Sequence, residues 1–270
     1  SRYSINSLGI KYKNIRSPVI EYIYNETGDL EIEKTIYPDR SLNTVYKSDH
    51  WGNLTDILHS EGNRSFFSDV KTPRVTMKVD TYGNVQRIST YNDNDILTGA
   101  AYGTAVVDRS YDDKGRILGE SYFSSDFKPI KYHNLYAKFI RSLDSKGNII
   151  SQSWYGLDHE VILDNNGCEK TTLVYDLNNN PIEQNCFKIE GDYMMDNEGV
   201  SKYLVVYNNL GDITEVKNYG LDGLPVNNID GFSSGSFKYD DNGNKVNESF
   251  YDTNGLSTSL KGAGNVTSFN

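Results

Sequence analysis

Between Arg116 and Phe123 the chain reads Arg-Ile-Leu-Gly-Glu-Ser-Tyr-Phe, a run with the length and residue types of a β-strand. Just before it stands Asp112-Asp113-Lys114-Gly115. Asp at the first position of a type I turn and Gly at the fourth, taking the left-handed conformation as a bulge, predict a three-residue hairpin loop. The same phrase recurs. Val79, Tyr111, Leu143, Tyr175, Tyr207 and Tyr239 follow one another at one constant interval, and beside them stand VDTYGN, YDDKGR, LDSKGN, YDLNNN, YNNLGD and YDDNGN. Twelve residues after each anchor is an aromatic: Tyr91, Phe123, Tyr155, Phe187, Tyr219 and Tyr251. Twenty-four residues after it is a glycine, at Gly103, Gly167, Gly199 and Gly231, with Leu135 as the departure within the array.

The unit this predicts is a small antiparallel meander. It contains a hairpin, a second turn (Leu221-Asp222-Gly223-Leu224-Pro225-Val226), a short extended piece and a glycine-containing loop. Two degenerate copies precede the regular set, at Tyr24 to Gly28 and Ser48 to Asn53, as expected of terminal repeats that meet solvent on one side. One such unit cannot bury its own apolar face, so neighbours must stack and share cover. The expected fold is therefore all-β, an elongated stack of about eight ~32-residue antiparallel hairpin repeats. A closed shell or a propeller is the alternative, although a propeller blade needs a longer period. A parallel β-helix would not need the hairpin turn. The expected organisation is a cap or linker over 1–23, one continuous repeat domain over 24–260 and a tail over 261–270.

Composition supports this reading. The 21 Tyr favour strands and the 23 Gly favour turns. Mean hydropathy is -0.61, and no stretch approaches eighteen consecutive apolar residues, so no membrane insertion is expected. Net charge is -10 without a basic run, which excludes nucleic acid as an expected partner.

Candidate chemistry is sparse. His50, His59, His133 and His159 occupy no constant slot in the repeat, and no nucleophile elbow, zinc-protease helix or phosphate loop occurs. Neither an enzyme nor a cofactor is expected. Asp- and Asn-rich turns such as Asp240 to Asn244 have oxygen donors that suit calcium, but the spacing of a known calcium loop is missing and turn chemistry explains them; no metal site is expected. Strand alternation places Glu120 with Tyr122, Gln152 with Trp154, Gln184 in the same row, and Glu248 with Phe250 on one face. These seven residues form the candidate binding face, with a solvated sheet surface as the competing reading. The regularly spaced aromatics are a second candidate, a sugar-stacking ladder, against a role as packing between units. If Asp176 faces Asn180 across the loop, Cys168 and Cys186 are diagonal neighbours, at or beyond disulfide reach, and two free thiols are expected.

The Tyr239 to Asn244 phrase, with its kin at Tyr111 and Leu143, resembles the YD repeats of the Rhs and insecticidal-toxin families. The resemblance spans residues 24–255 as a motif, at a longer interval than typical YD repeats. A run such as Tyr91 to Gly99 is also similar to the aromatic, glycine-punctuated repeats of glycan- and choline-binding toxin modules. These resemblances imply a bacterial secreted or cell-surface protein, part of a larger one, that works as a non-catalytic interaction module. The expected partner is another protein met through an extended face; the alternative is glycan or cell wall, and an enzyme with a site at one end of the stack is a third reading.

Overall fold

The computed structural model describes residues 3–5, 11–13, 19–36, 41–59 and 74–260. Among these residues the regular structure is antiparallel β, apart from one 3-10 turn at Ala101–Gly103. A short pair, β1 (Tyr3–Ile5) and β2 (Lys11–Lys13), stands as its own two-stranded sheet. The chain divides into two compact units, Ser1–Ala137 and Lys138–Asn270.

In the first unit β3 (Val19–Tyr24), β4 (Leu30–Ile36), β5 (Ser41–Ser48), β6 (Leu54–His59), β7 (Arg74–Val79), β8 (Val85–Tyr91), β9 (Val106–Tyr111) and β10 (Ile117–Phe123) pair in chain order, each with the next. The sheet thus starts at Val19, inside the segment expected as a cap. In the second unit β11 (Lys138–Leu143), β12 (Ile149–Tyr155), β13 (Val161–Ile162), β14 (Lys170–Tyr175), β15 (Pro181–Phe187), β16 (Lys202–Tyr207), β17 (Ile213–Tyr219), β18 (Ser234–Tyr239), β19 (Lys245–Tyr251) and β20 (Ser257–Thr258) pair in the same way, except that β12 takes both the short β13 and β14 as neighbours. Each meander is open. The expectation of an all-β fold of antiparallel hairpins holds. The expected tail over 261–270 lies outside the described residues.

The repeat is built from one turn used three times. Turns start at Asp112, Ser124 and Tyr132, and the next repeat begins the series again at Asp144. In each, the first residue's N–H donates to the fifth residue's carbonyl, and the fourth residue's N–H donates back to the first. The fourth position has positive φ almost throughout: glycine in most turns, and Asp95, Phe127, His159 and Asn179 in others. Leu135, the break in the glycine pattern, lies in a turn whose central residues His133 and Asn134 both have positive φ (49 and 60). The left-handed requirement is therefore moved forward rather than lost.

Each left-handed bulge also shifts the hairpin register by one residue, between Val174 and Tyr175 in β14 for example. This overturns the expected free thiols. Thr171, not Lys170, faces Cys186, and Cys168 precedes the strand as the fifth residue of the third turn, its carbonyl accepting from Asp164 N–H at 2.8 Å. There its Cα lies 5.3 Å from that of Cys186, and the two form a disulfide. An uninterrupted ladder from Asp176 back to Cys168 was the false premise.

Buried side chains are few and mostly small. In the first unit Ile57, Val75 and Ile88 form a cluster with Tyr46, Leu54, Met77, Val85 and Val107 packed against it. In the second, Cys168, Cys186 and Val200 are buried beside Ser201, Asn218 and Ser233. Those polar groups reach backbone acceptors: Ser201 Oγ donates to Tyr219 O (3.0 Å), Ser233 Oγ to Tyr251 O (3.2 Å) and Asn218 Nδ2 to Phe232 O (3.0 Å). Satisfied in this way, a hydroxyl or amide can occupy a core position at little cost.

Candidate functional site

The Asp-x-x-Gly-Asn phrase is a closed hydrogen-bond circuit. One oxygen of the turn Asp accepts from the N–H groups two and four residues on, as Asp176 Oδ1 does from Asn178 and Asn180 at 2.8 Å each. The other accepts from the fifth residue's side chain: Asn53 to Asp49 (3.0 Å), Asn84 to Asp80 (3.0 Å), Asn148 to Asp144 (2.9 Å), Asn180 to Asp176 (3.0 Å) and Asn244 to Asp240 (2.9 Å). Where the order is reversed the circuit persists, with Asn208 Nδ2 donating to Asp212 (2.9 Å). The Asn amide holds the carboxyls of Asp49, Asp80, Asp176 and Asp240 below the usual aspartate range. These oxygens are thus engaged by the turn itself, and no group of three metal-ligating side chains occurs among the described residues.

The anchor tyrosines tie one repeat to the one before. The Tyr111 hydroxyl donates to Val85 O (2.7 Å), Tyr175 to Ile149 O (3.0 Å), Tyr207 to Pro181 O (3.1 Å) and Tyr239 to Ile213 O (2.9 Å). The sequence separation is the same in all four, so a phenol, and not merely an aromatic ring, gives this slot its meaning.

The position eleven residues after an anchor is clamped by two further passes of the chain. Tyr122 N–H donates to Ala137 O while Ile130 N–H donates to Tyr122 O; Cys186 stands likewise between Ser201 and Met194, and Asn218 between Ser233 and Val226. Side chains here are therefore covered. Cys186 is bonded to Cys168, and two repeats on, at the same two positions, the Phe250 ring packs on that of Phe232 with centroids 4.9 Å apart. Both pairs have the same sequence separation, and both join one repeat to the next.

This architecture sorts the candidate binding face. Tyr122 is 3 % exposed, stacked on Tyr132 at 4.5 Å, and its hydroxyl donates to Glu120, which also pairs with Arg109 at 2.7 Å. Burial, then the Glu120 carboxylate, drives the Tyr122 phenol far above its ordinary pKa. Gln152, Trp154 and Gln184 are half-buried, Phe250 is half-buried against Phe232 and Phe237, and Glu248 is exposed and paired with Lys245. The seven are thus distributed over both units, with Tyr122 removed from the surface. The ladder Tyr91, Phe123, Tyr155, Phe187, Tyr219 and Tyr251 is half-buried throughout, flanking the second turns. Of the four histidines, His50 packs on Trp51 and His133 on Tyr102 and Tyr132, in separate places.

Sequence reasoning passed over the tips of the first turns. Trp51, Tyr82, Leu177 and Leu210 are 79, 89, 91 and 73 % exposed there; Trp51, Tyr82 and Leu210 hold the third turn position, where other repeats have Lys114, Lys146 and Asn242, and Leu177 the second, where they have Asp113, Ser145 and Asp241. A large apolar residue at a position that turn chemistry leaves free is a signal that a repeat-by-repeat comparison carries.

Comparison with solved structures finds similarity to bacterial toxin assemblies. The chain is similar in fold to TcdB2–TccC3. In the crystal structure of TcdB2–TccC3–Cdc42 the match covers 86% of this chain and 10% of that chain, at 16% identity and TM-score 0.48. In the Photorhabdus luminescens Tc holotoxin pore it covers 95% and 15%, at 12% identity and TM-score 0.33. In TcdB2–TccC3 without its hypervariable C-terminal region it covers 93% and 16%, at 10% identity and TM-score 0.34. No family model and no curated protein matches the chain. It spans about a tenth to a sixth of the chains it resembles.

Proposed function

We propose that the chain is a YD-type repeat module of a bacterial secreted or surface toxin system, non-catalytic, that docks another protein through the tips of its first turns. The observation that carries this is the exposure of Trp51, Tyr82, Leu177 and Leu210 on turns whose own hydrogen bonds are complete without them. Trp and Tyr at such positions are the side chains from which interface anchors are drawn. Scaffold positions repeat while tip positions vary, as suits a rigid array that recognises through its variable slots. The Cys168–Cys186 disulfide favours an exported setting, because such bonds persist in oxidising compartments. The half-burial of the aromatic ladder lowers the case for glycan stacking along it.

The test is co-purification from the bacterium that carries the gene. Wild-type protein is compared with a variant carrying Trp51→Ser, Tyr82→Ser, Leu177→Ser and Leu210→Ser. The proposal expects a protein retained by the wild type and lost by the variant at an unchanged melting temperature. Identical retention by the two, or retention of nothing by either, contradicts it.

A further inference from the structure

A groove of about 600 Å³ opens in the second unit. Leu173, Gln184 and Tyr203 stand in register across β14, β15 and β16 as its floor. Third turns at Asn166 and Glu198 wall it, successive turns being joined by Asn197 N–H to Asn166 O at 2.7 Å. Leu173 leaves this row without a guanidinium. The position of Leu173 belongs to Arg109 and Arg141 in the two repeats before it, and Arg109 lies across to Glu120, the counterpart of Gln184.

The polar groups left in the groove define what it would take. Asp196 is fully committed, accepting from Glu198 and Val200 N–H at 2.9 Å each and from the Tyr203 hydroxyl at 2.6 Å. The side-chain amides of Gln184 and Asn166 and the Glu198 carboxylate have no hydrogen bond among the described residues. No Lys or Arg lines the groove, so it offers nothing to a phosphate or sulfate. A cationic side chain would use the one free carboxylate and leave both amides unpaired. Amides donate and accept at once, as do sugar hydroxyls, and the rings of Tyr175, Tyr203 and Tyr207 beside them suit the apolar face of a pyranose. The geometry points to a subsite for a short neutral oligosaccharide, independent of the protein-docking turn tips and of the aromatic ladder.

Saturation-transfer NMR on the full chain tests it with cellobiose, maltose, lactose and N,N′-diacetylchitobiose, and with trilysine as the cationic probe. The expected result is transfer to at least one disaccharide. Gln184→Ala and Asn166→Ala should each weaken it by about three- to tenfold, the worth of one hydrogen bond. Leu173→Arg, which places there the residue that the two preceding repeats carry and so keeps the fold, should abolish it. No transfer from any of the four at about 10 mM, transfer that survives Leu173→Arg, or binding of trilysine in their place overturns the assignment.

Discussion

Replacing Cys168 and Cys186 together by alanine removes the one covalent link between successive repeats among the described residues while leaving no buried thiol unpaired. The bond joins positions separated by 18 residues, and the chain-entropy account of a loop that size gives about 3 kcal/mol of stabilisation. A urea slope of about 1.5 to 2 kcal/mol per molar, ordinary for a unit near this length, turns that into a fall of about 1.5 to 2 M in the unfolding midpoint. Trp154 is half-buried on β12 in the same unit, whereas Trp51, the other tryptophan, is exposed in the first unit, so fluorescence reports the affected transition. Wild-type protein reduced in urea and refolded under reducing conditions should give the same midpoint as the variant. A shift below about 0.3 M would refute the reasoning, since the loop constraint would then contribute almost nothing.

The tyrosine ties predict that Tyr175→Phe, Tyr207→Phe and Tyr239→Phe each cost about 1 kcal/mol in urea unfolding. Burial raises the phenol pKa of Tyr175 and Tyr207, so the unfolded chain ionises first; their contribution is complete below about pH 10 and is lost as pH rises from there through the folded values, which an alkaline titration of the midpoint reads. The turn carboxylates act at the other end. Asp49, Asp80, Asp176 and Asp240 are held low when folded, so their contribution is present above the unfolded pKa of about 3.9 and disappears as pH falls below it; Asp→Asn changes at these four sites should flatten the acid limb of a circular-dichroism melt series. Thr104 is 8 % exposed, and its hydroxyl is the one buried side-chain polar atom without a partner among the described residues. Later repeats have Cys168, Val200 and Phe232 at its position, so Thr104→Val should raise stability by about 1 kcal/mol in the same unfolding assay.

The period, the hairpin and its Asp-x-x-Gly chemistry were legible in the sequence because each is a local device whose parts lie close together along the chain. The third turn was half legible. Gly167, Gly199 and Gly231 marked it, but nothing local announced that it has the same hydrogen bonds as the hairpin turn, or that Ala137, Ser201 and Ser233 would close on the strand before them. That closure is what buries Tyr122, so alternation placed it on the right face and assigned it the wrong surroundings. Tyrosine hydroxyls that reach back across most of a repeat, as Tyr175 does to Ile149, are invisible to any windowed pattern. The disulfide was missed for a different reason: a bulge moved the register by one residue, and a one-residue slip reverses which neighbours can meet. In the groove beneath Asn166, Leu173 stands where arginine stands in the two preceding repeats, a difference the sequence displays but whose setting only the packing reveals.

The central claim is that equivalent positions in successive repeats meet in equivalent ways, each copy covering the next. Phe232 and Phe250 occupy the positions that Cys168 and Cys186 hold two repeats earlier, so a protein with Phe232→Cys and Phe250→Cys, folded under oxidising conditions and digested without reduction, is the most direct test. Mass spectrometry should find a new cross-link between positions 232 and 250 beside the native one between 168 and 186. Free thiols at 232 and 250 with the native bond intact would show that the two slots are not alike, and the account would fail there.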